Sequence, residues 1–374
     1  MSEFQYVTFR AIDGPVSAKN LAFMAKQYSR AKVTEWAFTN EYHYGDFGGD
    51  AQEMLRRGYD IHLHYANFGI RTLMIRLPRG FADAQAAKPY CDTESITIHK
   101  DKSGPGIILE ISPAHEPGDL DELWNLEEVM DQLLGVRAEI LEGDLRPLYL
   151  AHLAASMDME HDPETTLEGP VPAGLNKPTS SQRALAGLYG IGKAMLMAIA
   201  RESDPLPEKT EASLENWLAS QPVDRKNAWL LEWLSNPESR ERLSVLTEFR
   251  SSQGIVWPTK PSKRSVQQLE RLAQETQSDL ESKAAATAAR KRKQHLQTMA
   301  SEPESFLQQT EVLVNNRSTE NYVKTAEILA DLREALSGSE NASLPERHAV
   351  RLVKDNPTLK RLVGELRKRG FIRK

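Results

Sequence analysis

Cysteine is all but missing from this chain: Cys91 is the only one in 374 residues. One thiol makes no intrachain disulfide and cannot build a zinc site that needs several thiolates. Long apolar runs are missing too. No stretch reaches about 18 apolar residues, the length at which a helix crosses a bilayer. The N-terminus MSEFQYVTFRAID lacks the basic flank and apolar block of a signal peptide. These absences set the expectation of a cytoplasmic protein with no membrane contact. Positive charge is absent from one tract: between Ser103 and Val136 there is no Lys or Arg, against the eight acids Glu110, Glu116, Asp119, Asp121, Glu122, Glu127, Glu128 and Asp131. Such a tract is either a solvated face or a dock for the chain's own basic helix at Arg290-Lys291-Arg292-Lys293, within one molecule or between two.

With 40% hydrophobic and 27% charged residues, the composition is that of an ordinary globular protein, and the length implies two or three domains. The net charge of −6 hides a division. From Pro258 to Lys374 there are 22 Lys and Arg against 15 Asp and Glu, a net of +7; the remainder carries 25 against 38, a net of −13. A positive third on an acidic chain fits a nucleic-acid contact, an internal electrostatic partner, or a plain helical face rich in Lys and Arg.

Periodicity divides the chain the same way. Tyr6 to Ala11 alternates like a strand, and Pro15 to Tyr28 carries Leu21, Met24 and Ala25 at helical spacing. Tyr59, Ile61, Leu63 and Tyr65 share one strand face, with Asp60, His62 and His64 on the other. Asn67-Phe68-Gly69 supplies a reversal and Ile70 to Leu77 the return strand. A short helix around Ala82 to Tyr90 precedes a second hairpin, Ser95 to His99 with Ile107 to Ser112, turned through Lys102 to Gly106.

After Pro113 the spacing becomes 3-4. Leu126, Val129, Met130, Leu133, Arg137, Ile140 and Leu141 trace an amphipathic helix stopped by Gly143. Asp144 caps a second helix continuing from Tyr149 to Met157. After a proline-marked connection over 158–180, helices are expected at Gln182 to Arg201, Leu214 to Ser220, Arg225 to Ser235 and Pro237 to Ser251. Trp217, Trp229 and Trp233 are expected in their cores. Past Pro258, Ser265 to Met299 reads as one long charged helix with a weak coiled-coil seam. Helices at Glu304 to Val314, Glu320 to Leu336, Leu344 to Lys354 and Thr358 to Arg369 follow, closed by Gly370. The predicted fold class is α+β: an N-terminal mixed sheet domain (1–115), a helical domain (116–257), and a basic helical arm with C-terminal helices (258–374).

The densest chemistry lies in the segment Asn40-Glu41-Tyr42-His43-Tyr44-Gly45-Asp46-Phe47-Gly48-Gly49-Asp50. Rigid aromatics, small residues and polar ends give it the composition of a binding loop. The same aromatics, with Trp36 and Phe38, would serve equally to pin the loop over the sheet. His62 and His64 beside His43, Asp46 and Asp50 have the donor types of an imidazole–carboxylate metal site, or with Glu41 of general acid–base chemistry. Their spacing is also what the outer face of a sheet shows.

Gly187 to Ala194 reads GLYGIGKA and satisfies GxxxxGK, but Ala194 stands where a magnesium-binding hydroxyl belongs, and SQRALAG ahead of it is helical rather than a strand. The match is therefore structural. The basic run Arg290-Lys291-Arg292-Lys293 has no interleaved aromatics to stack bases and no recognisable nucleic-acid motif around it.

The strings FRAIDGPVS, SRAKVTEWAFTNEYHYGDFGGD, YANFGIRTLMIRLP and VRAEILEGDLRPLYLAHLA together resemble a widespread, uncharacterised bacterial protein family across most of the chain. The resemblance implies a bacterial cytoplasmic protein and carries over no catalytic residue. NYVKTAEILADLREAL followed by NPTLKRLVGELRKRGF is similar to the C-terminal helices of some bacterial proteins bearing SWIM-type zinc fingers. A SWIM finger needs a CxC pair, a third cysteine and a histidine, so one cysteine excludes it here.

Three functional readings stand. The first is a non-enzymatic adaptor or scaffold that binds another protein through the Asn40 to Asp50 loop and the basic arm, with no cofactor. The second is a metal-dependent hydrolase using the His/Asp cluster at residues 43–64. The third is sequence-independent nucleic-acid binding by Arg290 to Lys293.

Overall fold

The segment QYVTFR forms β1 (Gln5–Arg10), an interior strand buried at all but its last residue. The structure, a computed structural model, describes residues 3–77, 84–91, 93–100, 106–116, 118, 120–158, 161–206, 214–235, 245, 248–249 and 257–372. β2 (Lys32–Val33), β3 (Ala37–Tyr42), β4 (Ile61–Ala66), β5 (Arg71–Leu77), β6 (Ile96–Lys100) and β7 (Ile107–Ile111) join β1 in the order β2-β3-β1-β4-β5-β7-β6. Every pairing in this sheet is antiparallel, with Thr8 opposite Thr39 on one side and Leu63 on the other. The reversal between β4 and β5 falls at Gly69, whose φ of 112° suits glycine. A Cβ there would also sit 2.2 Å from the His115 carbonyl oxygen.

Helices cover both faces of the sheet. α1 (Ala18–Gln27), capped by Ser17, and α2 (Ala51–Arg57), capped by Asp50, pack Met24, Met54 and Leu55 against Val7, Phe9, Phe38 and Met74. Tyr59 joins this side because it precedes β4 instead of lying in it. On the opposite face, Ile61, Leu63, Leu73 and Ile75 meet α4 (Leu126–Leu141) and α5 (Arg146–Ser156), after the short α3 (Ala84–Ala87) and a 3-10 turn Lys88–Tyr90. Arg137 of α4 is buried and bidentate to Asp13 at 2.8 and 2.6 Å, and it donates to the Arg76 carbonyl at 2.7 Å. One buried cluster thus runs across residues 115 and 116, where the sequence reading places a domain boundary.

The helix expected over Gln182 to Arg201 is two, α6 (Ser180–Leu188) and α7 (Lys193–Ile199). Thr179 and Gln182 form a capping box at the start of α6. Gly190, at φ 72° and within 2.4 Å of the Leu120 side chain if it had a Cβ, turns the chain between them. The GxxxxGK string is therefore a helix–turn–helix junction. Nearby, a two-stranded pairing of β8 (Val171–Pro172) with β9 (Thr259–Lys260) ties the connection to the later chain. The buried Glu168 carboxylate accepts from Arg264 and from the Tyr149 hydroxyl.

α8 (Leu214–Ser220) and α9 (Val223–Ser235) stack Trp217 on Trp229 with centroids 5.9 Å apart. Trp233, expected in the core, is 41% exposed because it lies on the outer side of α9. The turn at residues 102–105, Ala82, and most of the helix expected over Pro237 to Ser251 lie outside the described residues.

The chain forms two compact units, Met1–Gln277 and Ser278–Lys374. α10 (Val266–Ser301) begins with Leu269 in the first core and is exposed at every position from 281 to 295. The second unit is helical. α11 (Pro303–Asn315), α12 (Thr319–Ala335), α13 (Leu344–Asp355) and α14 (Lys360–Lys368) enclose Leu307, Val314, Ala326, Leu329, Leu352 and Leu362. The fold class is α+β. Among the described residues no single helix is long and apolar enough to cross a membrane.

Candidate functional site

The Asn40 to Asp50 segment divides by the pleat. Tyr42 and Phe47 turn into the core beside Phe9 and Phe38, and burial pushes the Tyr42 phenol up to about 12. Asn40 is buried and donates to the Glu41 carbonyl at 3.2 Å. Asp50 is spent on the α2 cap, accepting from the Glu53 amide at 2.9 Å. Asp46 accepts from Gln5 Nε2 at 2.8 Å, and Gln5 Oε1 accepts a hydrogen bond from His64 Nε2–H at 2.7 Å. That chain of bonds fastens the loop to β1 and β4. Glu41, His43 and Tyr44 turn outward, Tyr44 being 92% exposed, and Asp46 and Asp50 are also exposed while making those bonds.

His62 is buried and His64 half-buried on the sheet face that α1 and α2 cover, not on an open outer face. His62 stacks on Phe9 with centroids 4.0 Å apart and donates Nδ1–H to the Thr8 carbonyl at 3.0 Å. Desolvation lowers its imidazole to about 3 and lowers His64 as well. Among the described residues no three His, Cys, Asp or Glu side chains are arranged to hold a metal ion. The sequence pattern identified which face His62 and His64 occupy. It could not show that α1, α2 and Phe47 cover that face.

What the structure does bring together is a cleft of about 910 Å3 on the other face of the same strands. Its floor is the outer row of β1 and β3: Tyr6, Arg10, Ala37, Thr39 and Glu41. One end is closed by a small apolar cluster of Phe4, Tyr6, Tyr65, Leu123 and Leu126. The wall is the segment Glu122 to Glu127 with Asp131 from α4, and Lys32, Thr34 and His43 form the opposite rim. α4 covers only part of the sheet, so the β2-β3-β1 portion of that face stays open.

The wall is strapped in place. Arg71 donates to the Asp121 carbonyl at 2.5 Å and the Leu188 carbonyl at 2.7 Å. The Tyr65 hydroxyl accepts from the Leu123 amide at 3.1 Å. Asn125, at φ 58°, is one of two described non-glycine residues with positive φ, a conformation costing roughly 1–3 kcal/mol and concentrated at functional sites. It turns the chain into α4 directly after Trp124, which is 79% exposed.

Charge in the cleft is unequally met. Arg10, 13% exposed, donates to the Thr8 and Thr39 hydroxyls and the Phe9 carbonyl from a single nitrogen. Its remaining edge faces Glu127 and Asp131, each at 4.0 Å. Tyr6 lies in the floor with its phenol raised by desolvation. Of the nine loop and histidine candidates, only Glu41 and His43 line this cleft. The other lining residues carried a faint sequence signal: the Tyr-x-Thr-x-Arg row of β1, and one tryptophan set in the acidic string DELWNLEE.

On the basic run, Arg290, Lys291 and Lys293 are exposed along α10. Arg292 bonds Asp331 and Glu334 of α12, both at 2.7 Å, which raises its pKa further. One of the four cations is thus held within its own unit. No family model, curated protein or solved structure matches the chain.

Proposed function

We propose that the protein is a binding module, an adaptor or scaffold, that holds a segment of another protein in the cleft between β1, β3 and the start of α4. The observation that carries this reading is Trp124. A large aromatic side chain left mostly in solvent, on a segment fixed by Arg71 and Tyr65, stands at the wall of a cleft whose volume falls in the ligand-site range of about 300–1,000 Å3. Exposed, pre-positioned aromatics are the usual anchors of recognition surfaces because they contribute contact area at little entropic cost.

A hydrolase reading has less to stand on, since His62 is buried, His64 is bonded to Gln5, Asp46 and Asp50 are taken up by Gln5 and the α2 cap, and of the histidines in that cluster His43 alone reaches the cleft. Affinity capture from the native cell tests the proposal. A partner retained by the wild type and by Tyr44→Ala, and lost with Trp124→Ala and Thr39→Arg, is the expected result. Retention in both cleft variants contradicts it.

A further inference from the structure

Resting on that reading, we infer that the segment the cleft accepts carries a Lys or Arg side chain. The wall supplies carboxylates and no cation: Glu122, Glu127 and Asp131 all lie in the tract that is free of Lys and Arg. Glu41 adds a fourth acid from the floor, against Arg10 and Lys32. Arg10 leaves Glu127 and Asp131 largely uncommitted, because each stands 4.0 Å away and is 77% and 63% exposed at the side chain. A partly neutralised acidic wall attracts an incoming cation, and close carboxylates give it charge-assisted hydrogen bonds.

Trp124 points independently to the same class. Its exposed ring lies between Glu122 and Glu127 in sequence, and an indole face beside carboxylates binds ammonium or guanidinium groups by cation–π attraction. An anionic or purely apolar segment would instead leave these acids desolvated without partners.

Three dye-labelled decapeptides, acetyl-(Ala-Lys)5-amide and its Gln and Glu counterparts, test the inference by fluorescence anisotropy with the full chain at 150 mM salt. The Lys peptide is expected to bind tightest. Glu127→Gln/Asp131→Gln should weaken it about tenfold or more, and Trp124→Leu, which changes no charge, about two- to fivefold. A Glu340→Gln/Asp355→Asn control on the second unit, with the same loss of charge at exposed sites, should stay within twofold.

Equal binding of all three peptides, or equal loss in the control, overturns the inference. If the Gln or Glu peptide binds best and the cleft variants abolish that binding, the cleft remains the site and its cationic preference falls. If no peptide responds to any cleft variant, both the preference and the cleft reading fail.

Discussion

Two histidines show how burial changes what a residue type means. His62 combines a proton-accepting ring with a fully buried position, so desolvation keeps it neutral to about pH 3. In the unfolded chain the same imidazole takes up a proton near its ordinary 6.5. Unfolding therefore binds a proton at any pH between those values, and stability falls as pH drops below 6.5. Between pH 6.5 and 5 this amounts to about 2 kcal/mol, at about 1.4 kcal/mol per unit. Urea titrations at the two pH values should show a loss larger than that in the wild type, because His64, His152 and His348 are also lowered, and a loss smaller by about that amount in His62→Leu. An acid limb unchanged by His62→Leu contradicts the assignment. Alternation along β4 was enough to set His62 and His64 on one face. Whether that face meets water depends on groups distant in sequence, α1, α2 and the rings of Phe9 and Phe47.

At the scale of elements, local spacing carried far where an element is held by its own pattern. The start of α4 at Leu126 and its end near Gly143 follow the apolar 3-4 repeat, and the hairpin of β4 and β5 follows Gly69. The break between α6 and α7 was harder to read because apolar residues continue through it; Gly190 and its contact with Leu120 produce the turn. Helix contacts were not legible either. Gly135 of α4 faces α6 so closely that a Cβ would lie 2.1 Å from Ser181 Oγ and 3.1 Å from its Cβ. Gly135→Val should lower stability by about 2 kcal/mol or more through overpacking, and adding Ser181→Gly should recover part of it. Thermal or urea unfolding measures both. A neutral Gly135→Val contradicts that packing.

For the whole molecule, the division into Met1–Gln277 and Ser278–Lys374 gives each unit its own buried cluster. Residues 278–374 expressed alone should be helical by circular dichroism and unfold cooperatively, since a separate core is what independent folding needs; a gradual, sloping melt contradicts this. The change of composition near Pro258 pointed to a boundary in this part of the chain, but Leu269 at the start of α10 still packs in the first core, and the second unit begins twenty residues after Pro258. The cleft was the least legible feature. Tyr6, Thr39 and Trp124 are far apart in sequence, and only the antiparallel order β3-β1-β4, with Arg71 holding the Asp121 segment, makes them neighbours. Its role is tested most directly by site-specific photo-crosslinking in the native cell, with benzophenone side chains placed singly at the exposed rim residue Lys32, at Tyr44 and at Glu340. One discrete partner adduct from position 32, lost when Trp124 is also replaced by alanine, and none from position 340, is the expected result. Adducts from position 44 alone, with position 32 silent, would contradict it.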